Sequence, residues 1–134
     1  MSIEGGCYCG AVRFKVEADP AMMAQCHCRE CQYISGGGPN YTVGVPAAAF
    51  EYTKGQPQQF ARDDLEAPVV REFCGKCGTS LGSRPPSLPD LIMLKVGTFD
   101  DPSIFNAMMA IYTADQQSFH HIPEGVPSFE TVPG

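Results

Sequence analysis

The sequence predicts a mainly β protein with little helix, and two features carry that prediction: its turn content and one alternating segment. The 134 residues include 14 glycines and 12 prolines, a composition typical of short strands joined by many turns. Residues 11–17 alternate between apolar and charged side chains, with Val12, Phe14 and Val16 on one face. A chain of this length is expected to form one domain over residues 1–134, around a single modest core.

Six further segments are rich in β-branched, aromatic or other apolar side chains and bring the expected total to seven or eight strands. They are residues 41–45, 50–53, 58–62, 69–73, 80–84 and 91–96. Loops are expected at residues 35–40 and 85–89, where glycine or proline clusters. Residues 22–25 are expected only to lead into a group of cysteines, and residues 120–134 to form an extended tail packed on the body.

One segment has a different period. Phe105, Met108, Met109 and Tyr112 are spaced as on one face of a helix, and residues 101–103 before them form a helix-start signal. The residues alone therefore predict helix and strand here with equal weight.

Charge and the amino terminus restrict the class of function and the compartment. The chain carries 9 basic against 15 acidic residues, a net charge of −6. Phosphate contacts require clustered lysine and arginine, so a nucleic-acid partner is not expected. The sequence has no basic and apolar leader and no apolar run of about 20 residues, so we expect a cytoplasmic protein without a membrane segment. Thiols stay reduced there, which favours metal binding over disulfides.

The seven cysteines form three clusters, each with the short spacing of metal ligands. They are Cys7 with Cys9; Cys26, Cys28 and Cys31; and Cys74 with Cys77. The first and third clusters are two separated pairs, the natural source of four thiolates for a tetrahedral structural zinc. A glycine follows each pair, which lets the backbone turn so that its amides face the sulfur atoms. Spacing alone leaves open that two cysteines of the middle cluster replace the first pair.

The middle cluster, Cys26, Cys28 and Cys31, lies within six residues that one ion can gather. Three protein ligands with an open fourth position are typical of a reactive zinc site. The alternative is a second closed site, whose fourth ligand is His27, His120 or His121. Neighbouring cysteines crowd His27, so its ring is expected to point away from the same ion.

Taken together, the clusters resemble the glutathione-dependent formaldehyde-activating enzyme family, which also includes centromere protein V. The resemblance rests on the order and spacing of the cysteines and on shorter motifs over nearly the whole chain. These are Gly6-Cys7-x-Cys9-Gly10-Ala11-Val12-x-Phe14, Cys26-His27-Cys28-x-x-Cys31, Ser35-Gly36, Phe50 with Gly55, Phe73-Cys74-x-x-Cys77-Gly78-Thr79, residues 96–102 and residues 122–129.

The resemblance implies a compact, mostly antiparallel β fold of the Mss4-like or β-tent kind, with zinc knuckles and little helix. It implies a structural zinc on the four residues Cys7, Cys9, Cys74 and Cys77. It also implies a second, labile or catalytic zinc on the three residues Cys26, Cys28 and Cys31. By the same resemblance, residues 105–112 are expected to be strand.

The family's namesake reaction joins glutathione to formaldehyde and gives S-hydroxymethylglutathione, which makes a carbon–sulfur lyase the expected enzyme class. A three-thiolate zinc carries a net charge of about −1, which favours binding of a substrate thiol over activation of a carbonyl. The hypothesis is that glutathione or another small thiol meets the middle cluster and adds to a small aldehyde nearby. The alternatives are a non-catalytic, zinc-stabilised binding module and a zinc or thiol stress buffer.

Charged residues near the clusters have both a functional and a structural interpretation. Glu30 is either a proton acceptor near the metal or a solvated loop residue. Arg29 and Lys76 either attract anionic glutathione or are exposed charges beside the cysteines.

The same holds for two aromatic residues and two aspartates. Tyr41 and Phe119 either line a substrate groove or belong to the core. Asp100 and Asp101 precede a proline and are expected to form a turn.

Overall fold

A computed structural model describes residues 1–133 and confirms the mainly β fold class. Gly134, the last residue of the expected domain and tail, lies outside the described residues. The described part contains ten strands and one α-helix, α1 (Arg29–Ser35). The strands are β1 (Ser2–Gly6), β2 (Arg13–Glu17), β3 (Met22–Cys26), β4 (Asn40–Pro46), β5 (Phe50–Lys54), β6 (Gln58–Phe60), β7 (Val70–Phe73), β8 (Ser80–Arg84), β9 (Leu91–Lys95) and β10 (Met109–Ile111). None of the helices in this part is long and apolar enough to cross a membrane.

The strands form two sheets that share one hydrophobic core. In the smaller sheet β2 lies between β1 and β5, and the other seven strands follow the order β10-β3-β4-β9-β8-β7-β6. Neighbouring strands are antiparallel except for β10, which runs parallel to β3, so the expectation of a mostly antiparallel fold is confirmed. Buried side chains of both sheets meet in the core, among them Val12, Phe14, Val16, Val43, Val45, Leu81, Ile92 and Leu94.

Most predicted strands lie where the sequence pattern placed them. The alternating segment at residues 11–17 contains β2, whose apolar face is fully buried through Phe14 and Val16. The predicted range 80–84 matches β8, and the other predicted strands differ from the observed ones by one or two residues at their ends.

The expected count of seven or eight strands is too low, because neither β1 nor β3 has a clear alternating pattern. β1 ends in two glycines, and a side chain at Gly5 would clash with the carbonyl oxygen of Thr98 and the ring of Phe14. β3 lies between β4 and β10, so its last three residues are all buried. Helix α1 is likewise not predicted by the sequence, and it ends at Gly36 in the left-handed conformation.

The helical alternative for residues 105–112 is wrong. A short 3₁₀ turn at Pro102–Ile104 is followed by β10, so the strand favoured by the resemblance is confirmed at Met109–Ile111. The tail holds this strand on one side: Ala110 N donates to Pro127 O at 2.8 Å, and Phe129 N donates to Ala110 O at 2.9 Å. Pairing with distant neighbours therefore overrides the local helical period. The same bonds confirm that the described part of the tail packs on the body.

Candidate metal centres

The first and third cysteine pairs meet at one point, although they are far apart in the chain. Cys7 and Cys9 follow β1, whereas Cys74 and Cys77 follow β7. Their four Sγ atoms lie within 4.8 Å of one another. Cys9 Sγ is 3.6 Å from Cys7 Sγ and 3.8 Å from Cys74 Sγ. This four-cysteine cluster can hold a tetrahedral ion such as Zn²⁺, whose bonds to thiolate are about 2.3 Å long. The middle cysteines take no part in it.

Two similar turns present these sulfur atoms. Gly10 and Gly78 each have φ of +80°, a left-handed conformation that favours glycine. Their amides close the turns by donating to the carbonyl oxygens of Cys7 and Cys74, at 3.1 and 2.8 Å. The prediction that amides face the sulfur atoms is confirmed by three contacts. These are Val12 N to Cys7 Sγ at 3.2 Å, and Lys76 N and Cys77 N to Cys74 Sγ at 3.4 Å each.

Hydrogen bonds also prepare this cluster to carry negative charge. Cys77 Sγ lies 3.1 Å from Thr79 Oγ1, and this hydroxyl, together with the Thr79 backbone, lowers the pKa of Cys77 to about 5. Burial opposes ionisation of Cys7, but the Val12 amide and the thiols of Cys9 and Cys74 outweigh it and lower its pKa. At Cys9 the Ala11 amide favours the thiolate, but burial and the neighbouring thiols outweigh it and raise the pKa to about 11. The chain therefore stabilises thiolates at Cys7 and Cys77 and not at Cys9.

The middle cluster is built on one short stretch, where β3 passes into α1. Cys26 ends β3, Cys28 is the N-cap of α1, and Cys31 lies in the first turn of that helix. Their Sγ atoms lie within 4.8 Å of one another, so the structure brings together the three residues predicted for an open zinc site. Cys31 N donates to Cys28 Sγ at 3.3 Å, and Asn40 Nδ2 donates to Cys31 Sγ at 3.7 Å.

The three thiols of the middle cluster differ in acidity because they face one another in a small space. Hydrogen bonds from the Cys26 and Cys31 thiols lower the pKa of Cys28. Hydrogen bonds with Cys28 and Cys31, together with burial, raise the pKa of Cys26. The first negative charge of the cluster therefore resides on Cys28, whose sulfur also accepts the backbone amide of Cys31.

The histidines are engaged elsewhere, and none joins either cysteine cluster among residues 1–133. His27 is fully buried, and its Nδ1 lies 2.9 Å from Nδ1 of His120. Because His120 Nε2 is 2.8 Å from the carbonyl oxygen of Gly37, it donates there, and its Nδ1 accepts from His27. Gln25 Nε2 then donates to His27 Nε2 at 3.3 Å. The prediction that His27 points away from the cluster is confirmed, and both rings have their nitrogens occupied.

The middle cluster opens onto a cleft of about 410 Å³. The seven-stranded sheet contributes Met22, Thr42 and Met93 to its lining, and the carboxyl-terminal part of the chain contributes Tyr112 and Val132. The remaining lining is mixed, with charged side chains at Arg29, Glu30, Arg71 and Asp115. A second groove of about 360 Å³ shares Glu30, Val69 and Arg71 with this cleft and extends to the exposed rings of Tyr33 and Phe60.

Two buried polar atoms near the middle cluster, Lys95 Nζ and Asn40 Oδ1, have no hydrogen-bond partner in the described part of the chain. Asn40 pairs with Cys26, and Lys95 pairs with Thr42, so these side chains share one face of the sheet. Burial lowers the pKa of Lys95 to about 8, and the charges of the nearby cysteines oppose that shift. A zinc ion with three thiolates has a net charge of about −1. The donor set and the unpaired ammonium group therefore fit a zinc ion at this site.

Arg29 and Glu30 lie at the cleft, but both have structural partners. Glu30 Oε2 is 2.9 Å from Arg71 Nη2. The Arg29 guanidinium lies over the ring of Tyr33, 4.9 Å from its centroid. Glu30 is thus solvated, as the structural interpretation expected, but it lies in a helix and not in a loop.

The expectation that Tyr41 and Phe119 line a substrate groove is wrong for this cleft. Tyr41 is half-exposed and packs edge-on against Phe105. Phe119 is 72% exposed and packs against His120. Neither side chain belongs to the core, so the alternative interpretation is wrong as well.

The other predicted polar residues have local roles. Lys76 is exposed beside the four-cysteine cluster and does not line the cleft. Asp100 accepts two hydrogen bonds from Arg13, at 3.0 and 2.5 Å. Asp101 caps the following 3₁₀ turn by accepting from Ser103 N at 3.1 Å, as expected of a turn former.

Four polar residues beside the middle cluster are not predicted as site residues from the sequence: Asn40, Arg71, Lys95 and Asp115. The strand Leu91–Lys95 offers the one usable signal, because its lysine ends an otherwise apolar run. The other three come from separate elements, and only the fold brings them to the same cleft.

A mainly β fold that gathers seven cysteines into two groups able to hold metal ions defines the class of β proteins with candidate cysteine metal sites. Within that class, residues 2–115 match the model of the glutathione-dependent formaldehyde-activating enzyme family. The chain belongs to this family, which confirms the resemblance drawn from the sequence.

Two individual proteins extend the comparison. A protein of Halomonas elongata, provisionally named a glutathione-dependent formaldehyde-activating enzyme, is 34% identical over 100 residues, or 69% of this chain. The chain spans 62% of that relative's length. The crystal structure of a Rhodobacter sphaeroides protein matches with a TM-score of 0.59 at 17% identity, covering 94% of this chain and 98% of the other. At that identity the second match supports the shared fold alone.

Proposed function

We propose that this chain is an enzyme of the carbon–sulfur lyase class that forms or breaks a thiol–aldehyde adduct at the middle cluster. The single observation that carries the proposal is the arrangement of that cluster: three convergent cysteines beside a cleft, with no fourth side-chain ligand grouped with them in residues 1–133. Membership of the family supports glutathione as the thiol and formaldehyde as the aldehyde.

The proposal gives the two clusters different tasks. The four-cysteine cluster holds a structural zinc on Cys7, Cys9, Cys74 and Cys77. The middle cluster holds a second zinc on Cys26, Cys28 and Cys31, which act as the ligands of the reactive site. When bound there, zinc supplies an open coordination position that holds a substrate thiol as its thiolate.

The reaction needs no further reactant. The sulfur of the thiol forms a bond to the aldehyde carbon, the π bond of the carbonyl group breaks, and the thiol proton passes to the carbonyl oxygen. The chain positions the partners, because β3 and α1 fix the three sulfur atoms beside the cleft. The proposal includes one domain over residues 1–134 that acts in the reducing cytoplasm, where free thiols remain available to metal.

The proposal is tested by measuring the rate of adduct formation between glutathione and formaldehyde, for example by exchange NMR spectroscopy. The wild-type chain should raise the rate above the uncatalysed reaction in a saturable way. Cys28→Ser and Cys31→Ser should return it to the uncatalysed level, because each removes one of the three thiolates. Lys54→Met, which alters an exposed residue of β5 outside both clusters, should keep the wild-type rate.

Other outcomes separate the alternatives. A saturable rate that survives both serine substitutions would contradict chemistry at the middle cluster. Two exchange-inert zinc ions without rate enhancement would favour a non-catalytic binding module. Reversible loss of one ion without turnover would favour a zinc or thiol buffer.

A further inference from the structure

Lys95 is the residue near the middle cluster whose position the proposed reaction leaves unexplained. Its ammonium nitrogen is buried and has no hydrogen-bond partner among residues 1–133. Lys95 pairs with Thr42 and lies on the sheet face that carries Cys26. Asn40 lies on the same face, and its side chain contacts Cys31. A buried cation without a partner is costly, so its placement calls for a negative charge nearby.

The other charged residues around the middle cluster indicate which negative charge faces Lys95. Arg71 is another cation at the site, with 16% of its side chain exposed, and it is paired with Glu30 at 2.9 Å. The Asp115 carboxylate accepts the Arg29 backbone amide at 3.3 Å, while the Arg29 guanidinium lies over Tyr33. The charges of these four residues sum to zero, which leaves the three cysteine sulfurs as the match for Lys95, because Cys26 lies on the same sheet face.

We propose that Lys95 supplies the counter-charge of the middle cluster, so that its ammonium group holds the metal-loaded cluster neutral and favours an anionic fourth ligand, a thiolate, over a neutral one. This inference rests on the proposed second zinc. Three thiolates and Zn²⁺ sum to −1, and the lysine brings the total to zero. Addition of a thiolate then produces a buried charge of −1, whereas without the lysine it would produce −2.

The effect is expected to be large because the groups are shielded from water. Charges in a buried site interact more strongly than charges on the surface, where solvent screens them. Lys95 is therefore a positioning residue that acts through charge, and it need not touch the substrate. Side chains outside the first coordination shell commonly change metal affinity by about 10- to 100-fold.

The test uses cobalt as a spectroscopic substitute for zinc and compares matched variants of the full chain. Lys95→Met removes the charge and keeps the length of the side chain, and Lys95→Arg keeps the charge. Lys76→Met is the control, because it removes an exposed lysine beside the other cluster. For each variant, competition with a chelator measures metal affinity at both clusters. Titration with glutathione and with imidazole then compares an anionic with a neutral fourth ligand.

The inference predicts that Lys95→Met weakens metal binding at the middle cluster by about tenfold or more and leaves the four-cysteine cluster unchanged. The preference for glutathione over imidazole should fall by a similar factor. Lys95→Arg should keep most of the wild-type metal affinity and of the preference for glutathione. Lys76→Met should change neither quantity. Undiminished metal binding at the four-cysteine cluster reports that each variant is folded.

Two results would overturn the inference. The first is a Lys95→Met protein with unchanged affinity and ligand preference at the middle cluster. The second is a Lys95→Arg protein as impaired as Lys95→Met, because that would assign the effect to packing and not to charge. A wild-type chain that binds only one metal ion would refute the proposed function itself and this inference with it.

Discussion

The two cysteine clusters differ in where their thiols come from and in how the chain surrounds them. The four-cysteine cluster joins distant parts of the chain, and three backbone amides and the Thr79 hydroxyl face its sulfur atoms. The middle cluster is local, and its sulfur atoms receive one backbone amide and the weaker contact of Asn40. Hydrogen bonds that satisfy a thiolate make it less available to a new partner, so the first arrangement suits structure and the second suits reaction.

Burial alone would have suggested the opposite assignment. Cys9 and Cys77 of the four-cysteine cluster are exposed, whereas Cys26 and Cys31 of the middle cluster are buried. The exposed pair belongs to a complete set of four ligands, while the buried pair belongs to a set of three that opens onto a cleft. In the proposed function, completeness of the ligand set and not the exposure of its members distinguishes the reactive cluster from the structural one.

The largest difference should appear when one ligand is removed from each cluster. Cys74 is 1% exposed and ties β7 and β8 to the end of β1, so Cys74→Ser should cost more than about 5 kcal/mol and prevent stable folding. Cys28→Ser should cost less than about 2 kcal/mol, because serine is itself a favourable N-cap for α1. Circular dichroism and thermal unfolding measure both effects. Equal destabilisation by the two substitutions would contradict different roles of the two clusters in folding.

Metal removal should separate the clusters next. When a chromophoric chelator is added to the chain loaded with zinc, one ion should leave without a change in far-ultraviolet circular dichroism. The second should leave only as the fold is lost, because it holds distant segments together. Added glutathione should speed the first phase and not the second. Simultaneous loss of both ions and of the fold would contradict a division into reactive and structural sites.

The smallest expected effect concerns the histidine pair behind the middle cluster. His120→Ala leaves the buried Nδ1 of His27 without its partner at 2.9 Å, which should cost about 1–3 kcal/mol in unfolding free energy. Zinc content should stay the same, since both rings point away from the cysteines. His121→Ala, an exposed neighbour, is the matched control and should change neither quantity. Loss of zinc in the His120 variant would show that a histidine completes the middle site.

The sequence predicts well those features that short stretches of chain determine. The spacing of Cys26, Cys28 and Cys31 is sufficient to gather their sulfur atoms, and Gly10 and Gly78 mark the turns that direct amides at the other cluster. Both features arise within a few residues. The buried face of β2 could also be predicted from its alternating residues, because one side of that strand faces the core.

Features that depend on distant neighbours could not be read in the same way. The spacing from Phe105 to Tyr112 fits a helix, but β3 and the tail supply strand partners that local spacing does not encode. Lys95 ends an apolar run in the sequence, but only the register of β4 and β9 places it on the face of the cysteines. The charge environment of the candidate site was therefore invisible before the sheet was known.

The distance along the chain between ligands also has a consequence for biosynthesis. Cys9 and Cys74 are 65 residues apart, so closing that loop costs more chain entropy than gathering thiols within one short turn. A ribosome that has released residue 31 has already delivered every cysteine of the middle cluster, whereas the four-cysteine cluster is incomplete until residue 77 emerges. The nascent chain thus exposes a finished set of three thiols to the cellular metal pool before the strands that line the cleft after β3 have been synthesised.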